Sequence, residues 1–505
     1  MYSYDKFNFK YKKLYSSYLE KLTLILNNFH KKQYNSDYWE PIIGLYLRSF
    51  IIKYHFFRII DKKNIFKKGT SRNIRFNKSY DDFAINQNYT FYKFQNNSSK
   101  KYFKFKKINF IKGIINSSKT IIPNLLINLR ILKVFFSESY FKKKLKSIFT
   151  IRSSLNFYSL PLFNFENYNF DKKLIFKNRI NLIYLTNKKN IKNIFLHNLI
   201  ISMPINYLEN YDTILNEVKK IKLSDAIYVD GNEVKFDHIK FYIAELKIKN
   251  KKILAAQHSL RSGIEDFNIY FDYLKSISNF FLTWGWNRNK NKIIPFSSTR
   301  VFSSISKYKK IKKENNENLN ICYILCSYSG SGECIYENRI ENFKAEKARI
   351  NLLKKIKKIK NMSITLKPRE GSFLMDNQKK FYNKFDLLKY KTRMYDVLNN
   401  YKVILFERVS LGIAECLYLD QPTIFYYPKN LYKQKNKKYN ELIFLLKKAN
   451  IFFDDIDNIS KLLSSKASIF LWWNNKKNIE NRKIFLKKYA NCFDYADFKK
   501  IKKII

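Results

Sequence analysis

The sequence contains very little glycine, proline, cysteine and histidine. Its 505 residues include 10 glycines, 8 prolines, 5 cysteines and 5 histidines. An odd number of cysteines without regular spacing argues against a disulfide framework and fits a reducing compartment. The first residues, MYSYDKFNFKYKK, lack the apolar core of a secretory signal, and no stretch of about 18 apolar residues follows. We therefore expect a cytosolic protein.

Acidic residues are also few, and the chain carries a large positive charge. It has 97 lysines and arginines against 41 aspartates and glutamates, a formal net charge of +56. Such a charge suggests a nucleic acid or an anionic membrane surface as the partner. The lysines are spread along the whole chain, however. An excess of Lys, Asn, Ile, Phe and Tyr is also typical of A+T-rich coding sequences, so charge alone does not decide the function.

Regular patterns begin with two helices near the start. Residues 14–60 carry apolar side chains at helical spacing on both sides of a polar break at 31–37, which predicts two helices joined by a turn. Residues 61–115 are rich in Lys, Asn, Phe and Tyr without a clear period, and we interpret them as an irregular insertion. Signals stay weak to about residue 190, where NLIYLT at 181–186 is the best strand candidate.

Beyond residue 220, short apolar runs alternate with helical patterns. DAIYVDG, KKILAAQH and ISNFFLTWGW form a first set, and the polar, basic stretch 287–318 then indicates a connection between domains. NICYILC, MSITLKPRE, YKVILFE and QPTIFYY form a second set. The two sets predict an α/β fold with two Rossmann-like domains facing a cleft, with helical additions at both ends of the chain.

The predicted domain boundaries follow these sets. We expect an N-terminal α/β domain over 1–290, a Rossmann-like domain over 318–470, and a helical segment over 471–505 that packs back on the body. In sheets of this kind ligands bind beyond the carboxyl ends of the strands.

The loop AAQHSLRSG, at one such strand end, contains the leading catalytic candidate. An imidazole at His258 can take a proton from an attacking hydroxyl, and Gln257 stands beside it. The alternative is that His258 only bonds a neighbouring loop. Arg261 and Gly263 continue the same loop, and a glycine there suits a positive φ or the close approach of a ligand.

Several segments occur in the order seen in a known group of proteins: ILNNFHKKQYNSDYW, MPINYLEN, AAQHSLRSG, FFLTWGW, LGIAECLYLDQPTIFYY and LWWNNKKNIENRKIFLKKYA. In these segments the chain resembles transferases encoded in bacterial O-antigen and surface-carbohydrate gene clusters. The family usually continues Gln-His with glycines, whereas Ser259 and Leu260 follow here.

The resemblance implies a GT-B-like glycosyltransferase. It would use a nucleotide-activated sugar as donor, a lipid-linked or saccharide acceptor, and no further cofactor. We expect it in the cytosol, with a peripheral contact at the inner face of the membrane and no specific nucleic acid. The alternatives are a basic nucleic-acid-binding protein and an inactive scaffold of the same fold; helix-turn-helix, RNA-recognition and zinc-finger signatures are all missing from the sequence.

The donor site is expected in the second domain. The turn SYSGSG offers hydroxyls and backbone N–H groups for a phosphate, although such a turn is equally often only a turn. Its residues are Ser327, Ser329, Gly330 and Gly332. Cations suited to a diphosphate follow a later strand at Lys367 and Arg369, where a solvated charged edge is the alternative.

Two further assignments come from the resemblance. Ser410 stands at a strand-to-helix junction, and Glu415 occupies the position from which related transferases hold donor hydroxyls. The resemblance also assigns His30 to the acceptor side, together with Arg261 and Gly263. His30 lies between two predicted helices, however, so a structural role is the alternative.

We expect no metal site. DDID at 454–457 resembles an Asp-x-Asp metal motif, but capping of the next helix by Asp457 or Asn458 explains it better. Cys322 and Cys326 lie in an apolar run and are expected to be small buried hydrophobes instead of zinc ligands. The tryptophans of FFLTWGW and LWWNN are expected to pack the terminal helix against the rest of the chain.

Overall fold

The computed structural model describes residues 4–60, 194–229, 233–265, 268–287, 292–298, 319–325, 339–368, 381–389, 394–429 and 437–492, with the short strands at 133–136 and 156–159 and a few single positions. The insertion predicted over 61–115 lies outside the described residues, apart from position 79.

The helices are α1 (Tyr4–His30), α2 (Ser36–Ile60), α3 (Ile194–Ile201), α4 (Tyr211–Lys219), α5 (Asp237–Ile248), α6 (Ile269–Ile277), α7 (Arg339–Ile356), α8 (Met394–Asn400), α9 (Leu411–Tyr418), α10 (Lys437–Lys448), α11 (Ile456–Leu462), α12 (Lys466–Asn474) and α13 (Lys476–Tyr489). The strands are β1 (Lys133–Phe136), β2 (Asn156–Ser159), β3 (Ala226–Val229), β4 (Lys252–Ala256), β5 (Phe280–Thr283), β6 (Ile293–Pro295), β7 (Leu319–Ile324), β8 (Met362–Lys367), β9 (Asp386–Leu387), β10 (Val403–Phe406), β11 (Thr423–Tyr426) and β12 (Phe452–Phe453).

The strands form two six-stranded sheets. The first has the order β2-β1-β3-β4-β5-β6 and the second the order β12-β11-β10-β7-β8-β9. Strand pairs in both sheets are parallel, for example β3 with β4 and β7 with β8 and β10. Parallel neighbours require crossovers, and helices such as α5 and α7 provide them. The predicted fold class, α/β with two Rossmann-like sheets and helices at both ends, is confirmed.

The strands that were easiest to predict are those buried on both faces. Every residue of β3, β10 and β11 is buried. A strand covered by helices on both faces needs a continuous apolar run and no alternation, and this is the pattern that AIYV, VILF and TIFY show. Their burial supplies part of the apolar core of each sheet.

The chain divides into two compact units, residues 1–256 with 273–279, and residues 257–272 with 280–504. In the first unit the predicted helix pair is present, and α1 begins earlier than expected. A buried cluster joins these helices, because Tyr15 donates to Glu40 (2.8 Å) and Arg48 pairs with the same carboxylate (3.3 Å). Gly44 belongs to this contact, since an added Cβ would lie 2.8 Å from the Tyr15 hydroxyl.

Three expectations about the connecting segments need correction. The stretch 287–318, predicted as a connection, contains β6, which pairs with β5 at the edge of the first sheet. The best strand candidate at 181–186 is helical at Asn181 and Leu182, and its other residues lie outside the described part. The first sheet takes its outer strands β1 and β2 instead from KVFF and NFYS, which the sequence did not single out.

The end of helix α12 and all of α13 lie in the described part of the segment predicted as helical, 471–505, and its residues 493–505 lie outside the described residues. The indole of Trp472 donates to the carbonyl of Asn450 (2.7 Å), and that of Trp473 donates to Asp420 (2.8 Å). Arg482 of α13 lies over the Trp473 ring at 3.8 Å from the centroid. These tryptophans therefore pack the last helices onto the second unit. In the described ranges, no helix is long and apolar enough to cross a membrane.

Candidate functional site

The loop after β4 is built around Gln257. Its amide oxygen accepts from the backbone N–H of Trp284 (2.8 Å) and from the indole N–H of Trp286 (2.7 Å), and its amide nitrogen donates to the carbonyl of Ser259 (2.8 Å). Only 2% of the residue is exposed. Because this amide is committed to the protein, the geometry suits Gln257 to position the loop; a direct role in catalysis stays a prediction.

His258 follows as a half-buried residue at the carboxyl end of β4. Two other histidines have surroundings that are described. Burial lowers the pKa of His30 to about 4 and that of His238 to about 4. His258 is therefore the histidine, among the three whose surroundings are described, that combines a strand end with partial exposure. Its role as general base remains a prediction.

The loop after His258 is closed by its own contacts. The Ser259 and Ser262 hydroxyls lie 3.1 Å apart, and Arg261 pairs with Glu265 at 2.9 Å. Leu260 is fully buried. The non-glycine residues with positive φ in the described part lie elsewhere, so Ser259 and Leu260 keep ordinary backbone conformations. Replacing the family's glycines by these residues is thus compatible with the loop.

Position 263 requires glycine because of its backbone conformation and because there is no room for a side chain. Its φ is +75°, and an added Cβ would lie 2.6 Å from the ring of Phe271 and 2.8 Å from that of Trp286. A side chain at position 263 would displace both rings. Displacing Trp286 would disturb its hydrogen bond to Gln257. The predicted glycine constraint in this loop is confirmed, while the acceptor-side role of Arg261 and Gly263 is still a prediction.

The segment after β5 connects this loop with the C-terminal residues. Gly285 has φ +114°, and an added Cβ would lie 2.5 Å from the carbonyl oxygen of Lys487. The N–H of Asn491 donates to the carbonyl of Trp284 (3.0 Å). Tyr418, the last residue of α9, donates to Ala490 (3.0 Å) and accepts from the Cys492 N–H (2.8 Å). Residues 487–492 thus contact both α9 and the segment 284–286, whose two tryptophans bond Gln257 in the His258 loop.

The second group of predicted residues lies at the carboxyl edge of the second sheet. β7, β8, β10 and β11 are parallel, so their carboxyl ends share this edge. Lys367 ends β8 and is 8% exposed. Burial raises the pKa of the neighbouring Cys322 to about 12, partly offset by the charge of Lys367. Cys322 is therefore a buried thiol, as predicted.

Helix α9 begins at the same edge with an unusual cap. Ser410 occupies the N-cap position in extended conformation, yet its side chain makes no cap hydrogen bond. Within the described residues, its buried Oγ has no hydrogen-bond partner. Gly412 lets the helix start against Phe406, since an added Cβ would lie 2.8 Å from that ring. Glu415 follows on α9 as a buried carboxylate, 6% exposed.

The remaining predicted residues divide into two groups. Ser327, Ser329, Gly330, Gly332 and Arg369 lie outside the described residues, as does Cys326. His30 lies inside an aromatic cluster of the first unit, where its ring stacks on Tyr211 (4.1 Å) and Trp39 (5.6 Å) and its Nε2 lies 3.1 Å from the Tyr207 carbonyl. These contacts give His30 a packing role, and its acceptor-side role stays a prediction.

The DDID motif caps a helix, but through a different residue than expected. Asp455 is the N-cap of α11 and accepts from the N–H of Asp457 at 3.1 Å. The carboxylate of Asp457 instead pairs with Lys355 at 2.9 Å, and that of Asp454 with Lys447 at 3.4 Å. The helix therefore begins at least two residues earlier than the sequence suggested. Among the described residues, no group of His, Cys, Asp and Glu could hold a metal.

A buried ion pair near the second edge was missed entirely. Glu407 directly follows β10, and Arg349 of α7 binds it with two nitrogens, at 2.8 and 2.5 Å. The Tyr323 hydroxyl donates to the same carboxylate at 3.1 Å. One signal was available: only 16 of the 97 basic residues are arginine. Arginine suits buried bidentate pairs better than lysine, so an arginine in this lysine-rich chain is a candidate for a buried ion pair.

A family model identifies the transferase family to which the chain belongs. The model of the LIC12162 family transferase matches residues 5–503. No curated protein shows significant sequence similarity. Among solved structures, a trehalose-6-phosphate synthase is similar over 79% of this chain and 98% of its own, with 11% identity and a TM-score of 0.38.

Two further structures have comparable scores. The spinosyn forosaminyltransferase SpnP covers 74% of this chain and 99% of its own, with 9% identity and a TM-score of 0.36. The Streptomyces sp. SF2575 glycosyltransferase SsfS6, solved with thymidine diphosphate, covers 58% and 72%, with 7% identity and a TM-score of 0.32. Such scores are too low to carry an argument about the reaction.

Proposed function

We propose that this chain, which belongs to the LIC12162 transferase family, is a glycosyltransferase that moves a sugar from a nucleotide-activated donor to a hydroxyl acceptor. Its reaction would need a base at the acceptor hydroxyl and groups that hold the donor's diphosphate and sugar. Residues suited to these tasks lie at the carboxyl ends of strands in both sheets, the edges at which ligands of such sheets bind.

The observation that carries the proposal is the N-terminus of α9. A buried hydroxyl without a partner costs free energy, and Ser410 Oγ is one at the start of a helix whose N–H groups attract anions. A donor phosphate at this position would satisfy both the hydroxyl and the helix end. Lys367, at the end of a nearby strand of the same sheet, supplies a cation for the diphosphate.

The remaining roles follow from this placement. Glu415 would accept hydrogen bonds from donor hydroxyls, and the Ser/Gly turn at 327–332 with Arg369 would complete the phosphate contacts. His258 would remove the proton from the acceptor, with Arg261 and Gly263 shaping the acceptor side. The donor would thus belong to the domain at 318–470 and the acceptor to the domain at 1–290, with 471–505 as a helical addition.

The biological setting that we propose is surface-polysaccharide assembly. The family resemblance points to O-antigen clusters, and an acceptor carried on a lipid would be met at the cytoplasmic face of the inner membrane. The large positive charge would help such a protein to approach anionic lipids. The donor sugar and the linkage follow from none of these features.

A binding experiment tests the proposal. The full chain should be stabilised saturably by one nucleotide-sugar of a panel at physiological salt, measured by thermal unfolding and calorimetry. Salt-sensitive binding to duplex DNA of any sequence, without stabilisation by a nucleotide-sugar, would favour the nucleic-acid alternative. Donor binding without transfer to any acceptor extract would favour the inactive scaffold.

We also propose that transfer needs no divalent metal. The carboxylates of the DDID motif are engaged in capping and in ion pairs, while Lys367 offers a cation that can offset the leaving diphosphate. We predict full activity in excess EDTA, measured as initial rate of sugar transfer. Strict dependence on added Mg²⁺ or Mn²⁺ would contradict this prediction and return attention to Asp455 and Asp457.

A further inference from the structure

The helices α10 and α13 form an antiparallel pair whose register is fixed by hydrogen bonds. Asn481 donates to the carbonyl of Lys448 at 3.1 Å. At the other end of the pair, Lys488 bonds and pairs with Glu441, which also accepts from the Tyr489 hydroxyl at 3.0 Å. Residues toward the end of one helix therefore meet residues near the start of the other.

This register brings two exposed apolar side chains to the same level. Phe444 lies between Glu441 and Lys448 on α10, and Ile484 lies between Asn481 and Lys488 on α13. Phe444 is 53% exposed and Ile484 is 51% exposed. The inward faces of both helices are buried, with Leu442 as one example. Phe444 and Ile484 thus flank the outer side of the seam between the helices, which we call the α10–α13 face.

The α10–α13 face is strongly basic. The two helices contain ten lysines and arginines, of which Arg482 is buried, and two glutamates, of which Glu441 is bonded to Lys488. The ammonium of Lys448 lies 4.7 Å from the centre of the Phe444 ring. Lys477 and Lys487 are exposed on α13 on either side of Ile484 in sequence. The exposed apolar side chains of this face are therefore surrounded by positively charged side chains.

The neighbouring helix extends the apolar exposure. On α12, Phe470 is 67% and Leu471 is 70% exposed, while the next two residues, Trp472 and Trp473, are buried and anchor the helix to the core. Asn475 joins α12 directly to α13 as the cap of both. Large apolar side chains this exposed are unusual on a soluble surface when they cluster, and they mark an interaction site.

We propose that the α10–α13 face docks on a membrane surface rich in anionic phospholipids. Basic side chains would bind the lipid phosphates while Phe444 and Ile484 enter the boundary between headgroups and acyl chains, which is the mode of interfacial amphipathic helices. Charge complementarity selects the occupant, because an apolar protein partner would not require the surrounding lysines and a nucleic acid would leave Phe444 and Ile484 in water.

The proposal deepens the membrane contact of the proposed function but is independent of the transfer reaction. Its test is sedimentation of the full chain with vesicles of phosphatidylcholine alone and of phosphatidylcholine with phosphatidylglycerol. We expect binding only to the anionic vesicles, weakening as salt rises. Because this test uses no donor, its failure would leave the transferase assignment standing.

Matched variants identify the face. The double variant Phe444→Ser/Ile484→Ser should lose about 10-fold to 100-fold in vesicle affinity, since each side chain would no longer enter the lipid. Lys477→Glu/Lys487→Glu should lose a similar factor, about fivefold or more for each charge. Leu24→Ser, at a residue of α1 that is 65% exposed, is the control and should bind as wild type does.

Three results would overturn the proposal. The first is wild-type vesicle affinity in the Phe444→Ser/Ile484→Ser variant with unchanged circular dichroism. The second is equal binding to vesicles with and without phosphatidylglycerol. The third is the absence of vesicle binding. This result would overturn the proposal whether the face instead binds duplex DNA through its lysines or forms a dimer, which the double variant would dissociate in sedimentation velocity.

Discussion

The loop after β4 and the carboxyl edge of the second sheet differ in how their buried polar groups are hydrogen-bonded. In the loop, the polar groups that are described have partners within the protein: Gln257 makes three hydrogen bonds, and Arg261 is paired with Glu265. At the edge of the second sheet, Ser410 Oγ is buried without a partner in the described residues. The two regions thus differ in whether their described buried polar groups are paired.

Under the proposed function, the loop holds the catalytic geometry and the edge of the second sheet binds the donor. A base that removes a proton must stand at a fixed distance from its substrate, and a loop locked by Gln257 and Gly263 can hold His258 in that way. A donor site gains affinity when the ligand satisfies groups that were left unpaired. The account therefore assigns turnover to the loop and donor affinity to the edge.

The largest effect is expected at His258. His258→Ala should lower kcat by about 100-fold to 10,000-fold, since it removes the base, and should leave the melting temperature nearly unchanged because the side chain is half-buried in a loop. Ser259→Ala, which removes one hydroxyl contact from the same loop, is the control. Turnover above about a tenth of the wild-type rate would show that His258 is not the base.

The second effect tests whether the loop owes its shape to Gln257. Gln257→Leu leaves two buried N–H donors, those of Trp284 and Trp286, without an acceptor and should cost about 2 to 5 kcal/mol of unfolding free energy. It should also lower kcat while donor affinity stays unchanged. Urea unfolding and steady-state kinetics measure the two quantities.

Gln421 offers a matched control for this variant. It is buried like Gln257, but its amide bonds the carbonyls of Tyr401 and Lys402 ahead of β10, at the edge opposite the candidate site. Gln421→Leu should therefore destabilise the chain without a specific loss of kcat. If both variants lowered kcat equally, Gln257 would be an ordinary structural residue.

A smaller effect is expected at the edge of the second sheet. Glu415→Gln keeps the shape of the side chain and removes its charge, and it should weaken donor binding about 5-fold to 150-fold, equal to about 1 to 3 kcal/mol. Calorimetric titration measures this change. Glu441→Gln on α10 alters a carboxylate that binds Lys488 and should leave donor affinity as it is.

The smallest effect concerns the two buried histidines, His30 and His238. Burial lowers the pKa of His30 and of His238 to about 4, below the usual value of 6.5. Between these values the unfolded chain binds more protons than the folded one, so stability should fall as the pH drops from about 6.5 toward 4. We expect a loss on the order of 1 to 2 kcal/mol per histidine at pH 5. Constant stability over this range would contradict their burial.

The sequence was most informative where strands are buried on both faces. Runs such as ILAA, ICYI and VILF predicted β4, β7 and β10, because parallel strands under helices need continuous apolar residues. The same logic located the strand ends, and with them His258 and Lys367. The glycine constraint at Gly263 was also predictable, since glycine is scarce in this chain and each one has a reason to be there.

What sequence reasoning missed depends on partners far away in the chain. Arg349 and Glu407 are 58 positions apart, so the scarcity of arginine could mark Arg349 as a candidate for a buried ion pair but could not identify Glu407 as its partner. The role of Gln257 is set by Trp284 and Trp286, which become neighbours only when the first sheet forms. The edge strand β6 escaped notice because a short strand at an edge needs few apolar residues and can end at a proline, as it does at Pro295.

We propose above that the His258 loop determines turnover and that the carboxyl edge of the second sheet determines donor affinity. One measurement tests this division most directly. Donor affinity is determined by calorimetry for wild type, His258→Ala and Glu415→Gln, with the same nucleotide-sugar and at the same salt concentration. The account predicts wild-type affinity in His258→Ala and a loss of about 5-fold to 150-fold in Glu415→Gln. Weakened donor binding in His258→Ala together with unchanged binding in Glu415→Gln would contradict it.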